Sequence, residues 1–366
     1  MVRWSPPVNW EAAGLATSMS EAIDTQGYPL WVRGPLEGDR SGLYPLLVNE
    51  PGGSRFSLPV GDGVGAMLGL AAGDAAGSAE SEGYSATTQQ AIVLAYHLLR
   101  HGSLNREQLA QEMAELDGDA RDPSVFRSPS DDLRAWLDSV KAGEAVLGSD
   151  PSVDPAVRVA PVGMWFRRRP DDLIDAAVQT ARLTHLDGPS AVVAAAAAGA
   201  VAAGCFAQNG RDMLMAITDV ARSAAKAIEA DSFRFAHLDQ IDGVVERLNI
   251  ATGLVGLPLA RLEEDLGDDP VGRVVSALTL AAAHTGAAET AVEQAVVIGG
   301  SPLGALVGSI VGARVGIRVW PWPFPNDTWF VAVGQRLIAG TAELADLPVP
   351  YSVEQRVTYA PGKSEI

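Results

Sequence analysis

The sequence predicts an all-α protein that is preceded by a short, mixed N-terminal extension. Apolar residues make up 47% of the 366 residues, which is ample for a buried core. From residue 61 onward the apolar positions recur with helical spacing, and the alternation typical of strands is nearly absent. Two segments carry glycine at every fourth position, which places those glycines along one face of a helix.

The two glycine-striped segments are expected to be helices that approach something closely. Each glycine inside a helix costs about 1 kcal/mol relative to alanine, so a repeated stripe needs a compensating contact. That contact is either a neighbouring backbone or a ligand, and two such helices pack against each other or around one ligand. The stripes are GAMLGLAAGDAAG, with Gly65, Gly69, Gly73 and Gly77, and GALVGSIVGARVG, with Gly304, Gly308, Gly312 and Gly316.

Other helices follow from apolar periodicity and from residues that favour helix starts. Paired aspartates at 131–132 and 171–172 are interpreted as first-turn carboxylates that favour the helix dipole, rather than as metal ligands. The alanine-rich run at 191–207 is too short for a comfortable membrane span, so it is interpreted as a buried helix. The periodic segments are 189–207, 210–230, 241–255, 270–285 and 289–298.

The chain is expected to divide into three parts. Residues 1–60 form an extension rich in proline and tryptophan, and the segments on either side of the turn at 49–54 are expected to form a small hairpin. Residues 61–345 form a single all-α domain, and residues 346–366 form an irregular tail. The extension either packs on the helical body or contacts a protein partner.

Charge and cysteine content narrow the functional classes. The formal net charge of −18 argues against binding to nucleic acid or to an anionic membrane. The basic run Arg167-Arg168-Arg169 is expected to lie in a solvated turn. A single cysteine, Cys205, excludes an internal disulfide and, with no secretory signal in view, suits a cytoplasmic protein.

The first glycine stripe and the segment after it resemble the ADP-ribosylglycohydrolase family. There a Gly-x-x-x-Gly-x-x-x-Gly-Asp-Ala-x-x-Gly helix precedes a Thr-Asp-Asp-Thr-Gln motif whose acidic pair binds magnesium. The resemblance implies a compact orthogonal multi-helix bundle of the ADP-ribosylglycohydrolase type. The matching residues are Gly69, Gly73, Asp74, Ala75, Gly77, Thr88 and Gln89.

The positions that hold metal in the family lack carboxylates here. The family's second acidic motif, Gly-Gly-Asp-Thr-Asp-Thr, corresponds to Gly299-Gly300-Ser301-Pro302-Leu303-Gly304. Magnesium prefers hard oxygen ligands, usually including carboxylate, and two hydroxyl groups do not neutralise two dications. We therefore expect no dinuclear magnesium centre, no other cofactor and no metal-dependent hydrolysis. The four former ligand positions are Ala86, Thr87, Ser301 and Leu303.

A third match is Val157–Gly163, which is similar to the family's Met-Arg-x-Ala-Pro-x-Gly and contains Arg158. In the family a Gly-x-Gly turn just upstream approaches the ADP-ribose. Ser152 and Asp154 occupy those places here. A carboxylate at Asp154 repels a pyrophosphate unless its side chain points away.

A fourth match is Thr184-His185, which resembles a Thr-His pair of the family. With Asp187, His185 is either a catalytic base with an orienting acid or part of a capped helix end. His97 and His101 have the i, i+4 spacing of metal ligands, but no further acid or cysteine lies close in sequence, so no metal site is predicted there.

Three functions are weighed from these residues. The preferred one is a catalytically degenerate family member that uses the former cleft for non-hydrolytic binding or regulation, with an ADP-ribose-like or other small ligand. The cleft is expected to comprise Ser85, Thr87, Thr88, Asp154, Arg158, Gly300 and Ser301.

The alternative is a repurposed enzyme with metal-independent acid/base chemistry in the same cleft. Its candidate groups are Asp74, Glu80, Glu82 and His185, although strict spacing places the family's loop glutamate at Ser81. A cleft filled by Leu303 favours a third function, a structural or partner-binding protein that uses residues 1–60.

Overall fold

Every regular element in the described part of the chain is helical, which confirms the all-α prediction. The structure is a computed structural model that describes residues 63–78, 83–117, 126–206, 209–231, 235–284, 287–317, 326–340 and 347–350, with positions 320, 342, 344 and 353. The predictions for residues 1–60 and for Glu80 and Glu82 lie outside these residues. Two isolated β-bridges, Gly148–His185 and Asp187–Ala236, join loops within them.

Fourteen α-helices and one short 3₁₀ turn, Leu238–Gln240, cover most of the described residues. In chain order they are α1 Gly65–Gly77, α2 Ala86–His101, α3 Arg106–Asp117, α4 Asp131–Lys141, α5 Asp154–Val157, α6 Ala160–Trp165, α7 Pro170–Ala181, α8 Gly188–Gly204, α9 Gly210–Ala230, α10 Ile241–Ala251, α11 Leu259–Leu266, α12 Pro270–Ala283, α13 Ala288–Val315 and α14 Asp327–Ala339.

Helix starts are set by capping side chains, as the sequence indicates. Asp187 accepts a hydrogen bond from Ser190 N at the start of α8, and Asn209 does the same for Asp212 N at α9. The start of α4 is capped by Ser130, and Asp131 and Asp132 lie in its first turn, where their charge favours the helix dipole.

Helix α13 is two helices joined at a break. Gly299 and Gly300 have non-helical backbone angles, and the φ of +68° at Gly300 favours glycine. The break confirms a separate helix over 289–298, and Pro302 falls in the first turn of the second segment, where its missing N–H costs little. The whole of α13 is long and apolar enough to cross a membrane, but 67% of its apolar window is buried, as in a core helix.

The glycine stripes of α1 and of the second half of α13 pack directly against each other in antiparallel fashion. A Cβ added to Gly65 would lie 2.5 Å from the carbonyl oxygen of Gly312, and one added to Gly73 would lie 2.6 Å from the carbonyl carbon of Gly304. Gly69 faces Gly308 in the same way. Close backbone packing is therefore the contact that the stripes serve.

Helix α8 occupies the centre of the bundle. All of its residues are buried, and it contacts α5, α6, α7, α9, α10, α12 and α13. Small side chains let this many helices approach one axis. The predicted buried alanine-rich helix is confirmed, although it ends at Gly204 rather than at 207.

The prediction of a solvated basic turn is wrong for Arg167. Its side chain is buried, and it donates to the carbonyl oxygens of Met164 at 3.1 Å and Ile338 at 2.7 Å. These bonds satisfy the ends of α6 and α14, so burial of the guanidinium is compensated. Arg169 is exposed and pairs with Asp172.

The glycine contact predicts a specific pattern of stability changes. Gly73→Ala places a methyl group against the backbone of α13, so it should lower the free energy of unfolding by about 1–3 kcal/mol or more. Gly243→Ala, in α10, meets no atom within 4 Å and should be neutral or stabilising by up to about 1 kcal/mol. Denaturant unfolding measures both, and equal stability of the two variants would contradict the packing argument.

Candidate functional site

Asp74 is the centre of a buried hydrogen-bond cluster. Its carboxylate is fully buried and accepts from Ser85 N at 2.9 Å, Ser85 Oγ at 2.8 Å, Thr88 N at 3.1 Å and Thr88 Oγ1 at 2.7 Å. Ser301 Oγ donates to the same carboxylate. The cluster joins α1 to the starts of α2 and of the second half of α13. Because both oxygens are engaged, Asp74 serves as a structural anchor rather than as a free base.

The positions that the resemblance matches to metal ligands do not fit two magnesium ions. Ala86 is 2% exposed and Leu303 is fully buried, and neither offers an oxygen atom from its side chain. Leu303 packs beside Gly299, where an added Cβ would meet its side chain at 2.6 Å. Ser301 already donates its hydroxyl to Asp74, and Thr87 contributes one half-buried hydroxyl. A pair of divalent cations requires several carboxylates that these positions lack.

A separate cavity of about 440 Å³ lies beside α4, the loop 146–154 and the start of α5. Asp154, Arg158 and His185 line it, so the structure brings these three predicted site residues together. The other predicted cleft residues, Ser85, Thr87, Thr88, Gly300 and Ser301, are not among its lining residues. The single cleft expected from the sequence is therefore two places: a filled polar cluster and an open cavity.

The loop that forms one wall of the cavity is fixed at two points. Gly148 N donates to the carbonyl oxygen of Thr184 at 2.8 Å, and Leu186 N donates to that of Gly148 at 2.8 Å. Further along, Ser152 N donates to Ser190 Oγ at 2.8 Å, in the first turn of α8. The wall is therefore attached to the central helix by hydrogen bonds.

Arg158 is a fully buried cation beneath the cavity. Its Nη1 donates to Gln90 Oε1 at 3.1 Å, and its Nη2 donates to the carbonyl oxygen of Thr180 at 2.9 Å and to Thr184 Oγ1 at 2.6 Å. Its Nε–H has no partner. Burial lowers the pKa of Arg158 to about 10, which leaves it charged at neutral pH. Among the described residues no carboxylate oxygen lies within 4.0 Å of it.

His185 is held as a neutral hydrogen-bond donor. Thr184 Oγ1 accepts from Arg158, and among the described residues His185 Nδ1, 2.8 Å away, is the one acceptor within reach of its own hydrogen. The tautomer that satisfies this hydroxyl carries the ring hydrogen of His185 on Nε2, and we assign it on that ground. Burial, with the nearby charge of Arg158, lowers the pKa of His185 to about 4. A neutral ring whose Nδ1 is occupied and whose Nε2 carries hydrogen suits binding and is a poor general base.

Asp187 is not the orienting acid of His185. Its Oδ1 accepts from Ser190 N at 2.6 Å and caps α8. Burial raises the pKa of its carboxyl group. The capping interpretation of the His185–Asp187 segment is the one that the geometry supports.

Asp154 lines the cavity. The sequence alone did not decide whether its side chain points away from the site. Its half-buried carboxylate accepts from Ser130 Oγ at 3.3 Å, and burial raises its pKa. No cationic nitrogen among the described residues lies within 4.0 Å of it. The cavity thus carries an acidic group and a basic group that do not neutralise each other by contact.

Several lining residues were missed by sequence reasoning. Gln90, Asp132, Trp136, Asp150 and Arg273 come from separate segments that no motif connects. Gln90 alone carried a signal, since it directly follows the matched Gln89.

A second cluster combines His97 and His101 with Glu112, an acid from α3 that sequence spacing did not reveal. Their ligand atoms lie within 4.8 Å of one another. His97 Nε2 accepts from Asn105 N at 3.0 Å, so the hydrogen is on Nδ1, which lies 2.8 Å from Glu112 Oε2. With Nδ1 protonated, His97 presents no lone pair to a metal, and the cluster is a hydrogen-bonded tie between α2 and α3.

The tautomer and low pKa of His185 are directly measurable. Imidazole ¹⁵N shifts should report a neutral ring protonated on Nε2 from pH 8 down to pH 6. Because the pKa in the folded state lies below the ordinary 6.5, the unfolded state binds more protons between pH 6.5 and about 4. Stability should therefore fall on acidification through this window, by at most about 1.4 kcal/mol per pH unit from this group. A titration midpoint near 6.5 in the folded protein would contradict the geometry.

Comparison with known proteins identifies the family. The family model described as ADP-ribosylglycohydrolase matches residues 62–347. A solved structure described as an "ADP-ribosylglycohydrolase-related protein complex" has a TM-score of 0.56, with 19% identity over 76% of this chain and 97% of that one. At this identity the likeness concerns the fold alone. No significant match is found among curated proteins. The chain belongs to the ADP-ribosylglycohydrolase family.

Proposed function

We propose that this protein binds a small ligand bearing an anionic group and does not hydrolyse it. The supporting observation is the buried Arg158, which lies against a cavity of about 440 Å³ with an unpartnered Nε–H and no carboxylate within 4.0 Å. An unpaired buried cation is costly, and an anion supplied by a ligand offsets that cost. Sites for small molecules are typically cavities of this size with a few converging polar groups.

His185 supports the same function. Its Nε2–H is the free donor of a ring that is fixed through Thr184 to Arg158. A donor held in one tautomer contributes to binding an oxygen atom without first paying for its own ordering. Together the two residues favour a carboxylate or phosphate oxygen at the base of the cavity.

The residues offered for metal-dependent or acid/base catalysis support this proposal less well. Ala86 and Leu303 supply no ligand atom where the family's magnesium centre requires carboxylates. Asp74 has both oxygens in hydrogen bonds, and His185 carries its hydrogen on the nitrogen that remains free. Fold membership does not transfer an activity whose chemical groups are missing. An ADP-ribose-like compound is the probe that family membership suggests.

Calorimetric titration with ADP-ribose tests the proposal in chelator and again in excess magnesium. We expect ADP-ribose to bind only weakly, because its diphosphate brings a negative charge towards Asp154, and with the same Kd in both buffers. An ADP-ribosylated peptide should release no free ADP-ribose over hours. Binding that requires magnesium, or release of ADP-ribose from the peptide, would contradict a metal-free, non-hydrolytic site.

A cavity-filling variant locates the binding. Ala135 lies on the exposed face of α4 and lines the cavity, so Ala135→Trp fills the space without disturbing the core. We expect it to weaken binding about tenfold or more, which corresponds to about 1.4 kcal/mol. Ala227→Trp, at an exposed position of α9, is the matched control and should bind as the wild type does. Equal affinity of both variants and the wild type would place the ligand elsewhere.

A further inference from the structure

Two residues that line the cavity, one cationic and one anionic, have incomplete hydrogen bonding. Arg158 Nε–H has no acceptor, and the Asp154 carboxylate accepts a single bond of 3.3 Å from Ser130 Oγ. Both residues line the same space. A fully buried group such as the Arg158 guanidinium normally has its hydrogen bonds completed by protein, water or ligand.

Asp154 and Arg158 have the sequence spacing of an ion pair on one helix but do not form a contact. Asp154 begins α5 and Arg158 follows its last residue, so they are four positions apart, a spacing at which opposite charges commonly form a contact. Their charged atoms are nevertheless more than 4.0 Å apart, because Arg158 is turned towards Gln90, Thr180 and Thr184. The three hydrogen bonds of the guanidinium hold this separation.

Charges of both signs act on Asp154. Burial raises the pKa of its carboxyl group, Arg158 lowers that pKa by attraction, and Asp132, in the first turn of α4, raises it by repulsion. Asp150 and Arg273 also line the cavity. Ser130 contributes a neutral hydroxyl. A cation or charged donor is therefore favoured at Asp154, and a second phosphate is disfavoured there.

We infer that the ligand is zwitterionic: an anionic group meets Arg158 and His185, and an ammonium or similar cationic donor meets Asp154. This inference rests on the proposed function and narrows its ligand class. A diphosphate would set one of its negative charges against Asp154. A zwitterion offsets both charges, which the protein itself keeps apart.

Two phosphate monoesters of similar size test the inference in the wild-type protein. O-phosphoethanolamine carries an ammonium group two carbons from its phosphate, and ethyl phosphate lacks that group. Calorimetric titration should show O-phosphoethanolamine binding about tenfold more tightly, since a hydrogen bond between charged groups adds affinity. This comparison requires no variant and is independent of any folding defect.

Asp154→Asn should abolish the difference between the two probes while retaining affinity for ethyl phosphate. Asp138→Asn, at an exposed position of α4, is the matched control and should keep the preference. Equal wild-type affinity for the two probes would overturn the zwitterion inference and leave the anion site of the proposed function intact. Absence of binding by either probe would overturn both.

Discussion

The structure depends on the antiparallel contact between the glycine faces of α1 and the second half of α13. At four positions of each stripe a glycine leaves no side chain between the two helices. Their axes therefore lie closer together than those of two helices with larger side chains at the contact. Each glycine lowers helix propensity by about 1 kcal/mol, and close packing along most of α1 offsets this loss. This distance also brings Ser301, at the start of the second helix, within hydrogen-bonding reach of Asp74.

Asp74 completes the same contact with polar groups. It accepts from two backbone N–H groups at the start of α2 and from the hydroxyl of Ser301, so one carboxylate satisfies orphan donors at one helix N-terminus and joins it to the start of another helix. A magnesium pair would add four positive charges, and the four family carboxylates would add four negative ones. Ala86, Thr87, Ser301 and Leu303 carry no charge, which supports the interpretation that the cluster around Asp74 is structural. The cavity at Arg158 remains open beside it.

Local signals in the sequence predicted most of the helices, because glycine periodicity and capping residues act over a few positions. Asp187 and Asn209 mark helix starts that the structure reproduces. Contacts between residues far apart in the sequence could not be predicted from such local signals. Arg167 was expected in solvent, but its partner Ile338 lies 171 positions away. Glu112 lies beside His97 and His101 because the turn between α2 and α3 brings the two helices together, which the spacing of the histidines did not reveal. The cavity could not be predicted as a unit, since its lining comes from segments between residues 90 and 273.

The glycine contact also has a consequence for the order of events during synthesis. Gly65 leaves the ribosome more than two hundred residues before its partner Gly312, and contacts of such separation form late and slowly. Until then the apolar, glycine-rich face of α1 has no surface to pack against. Nascent chains in that state expose hydrophobic segments that associate with one another or with chaperones. Helix α1 is therefore among the last elements to reach its packed position. Its glycine face stays exposed until the second half of α13 has emerged.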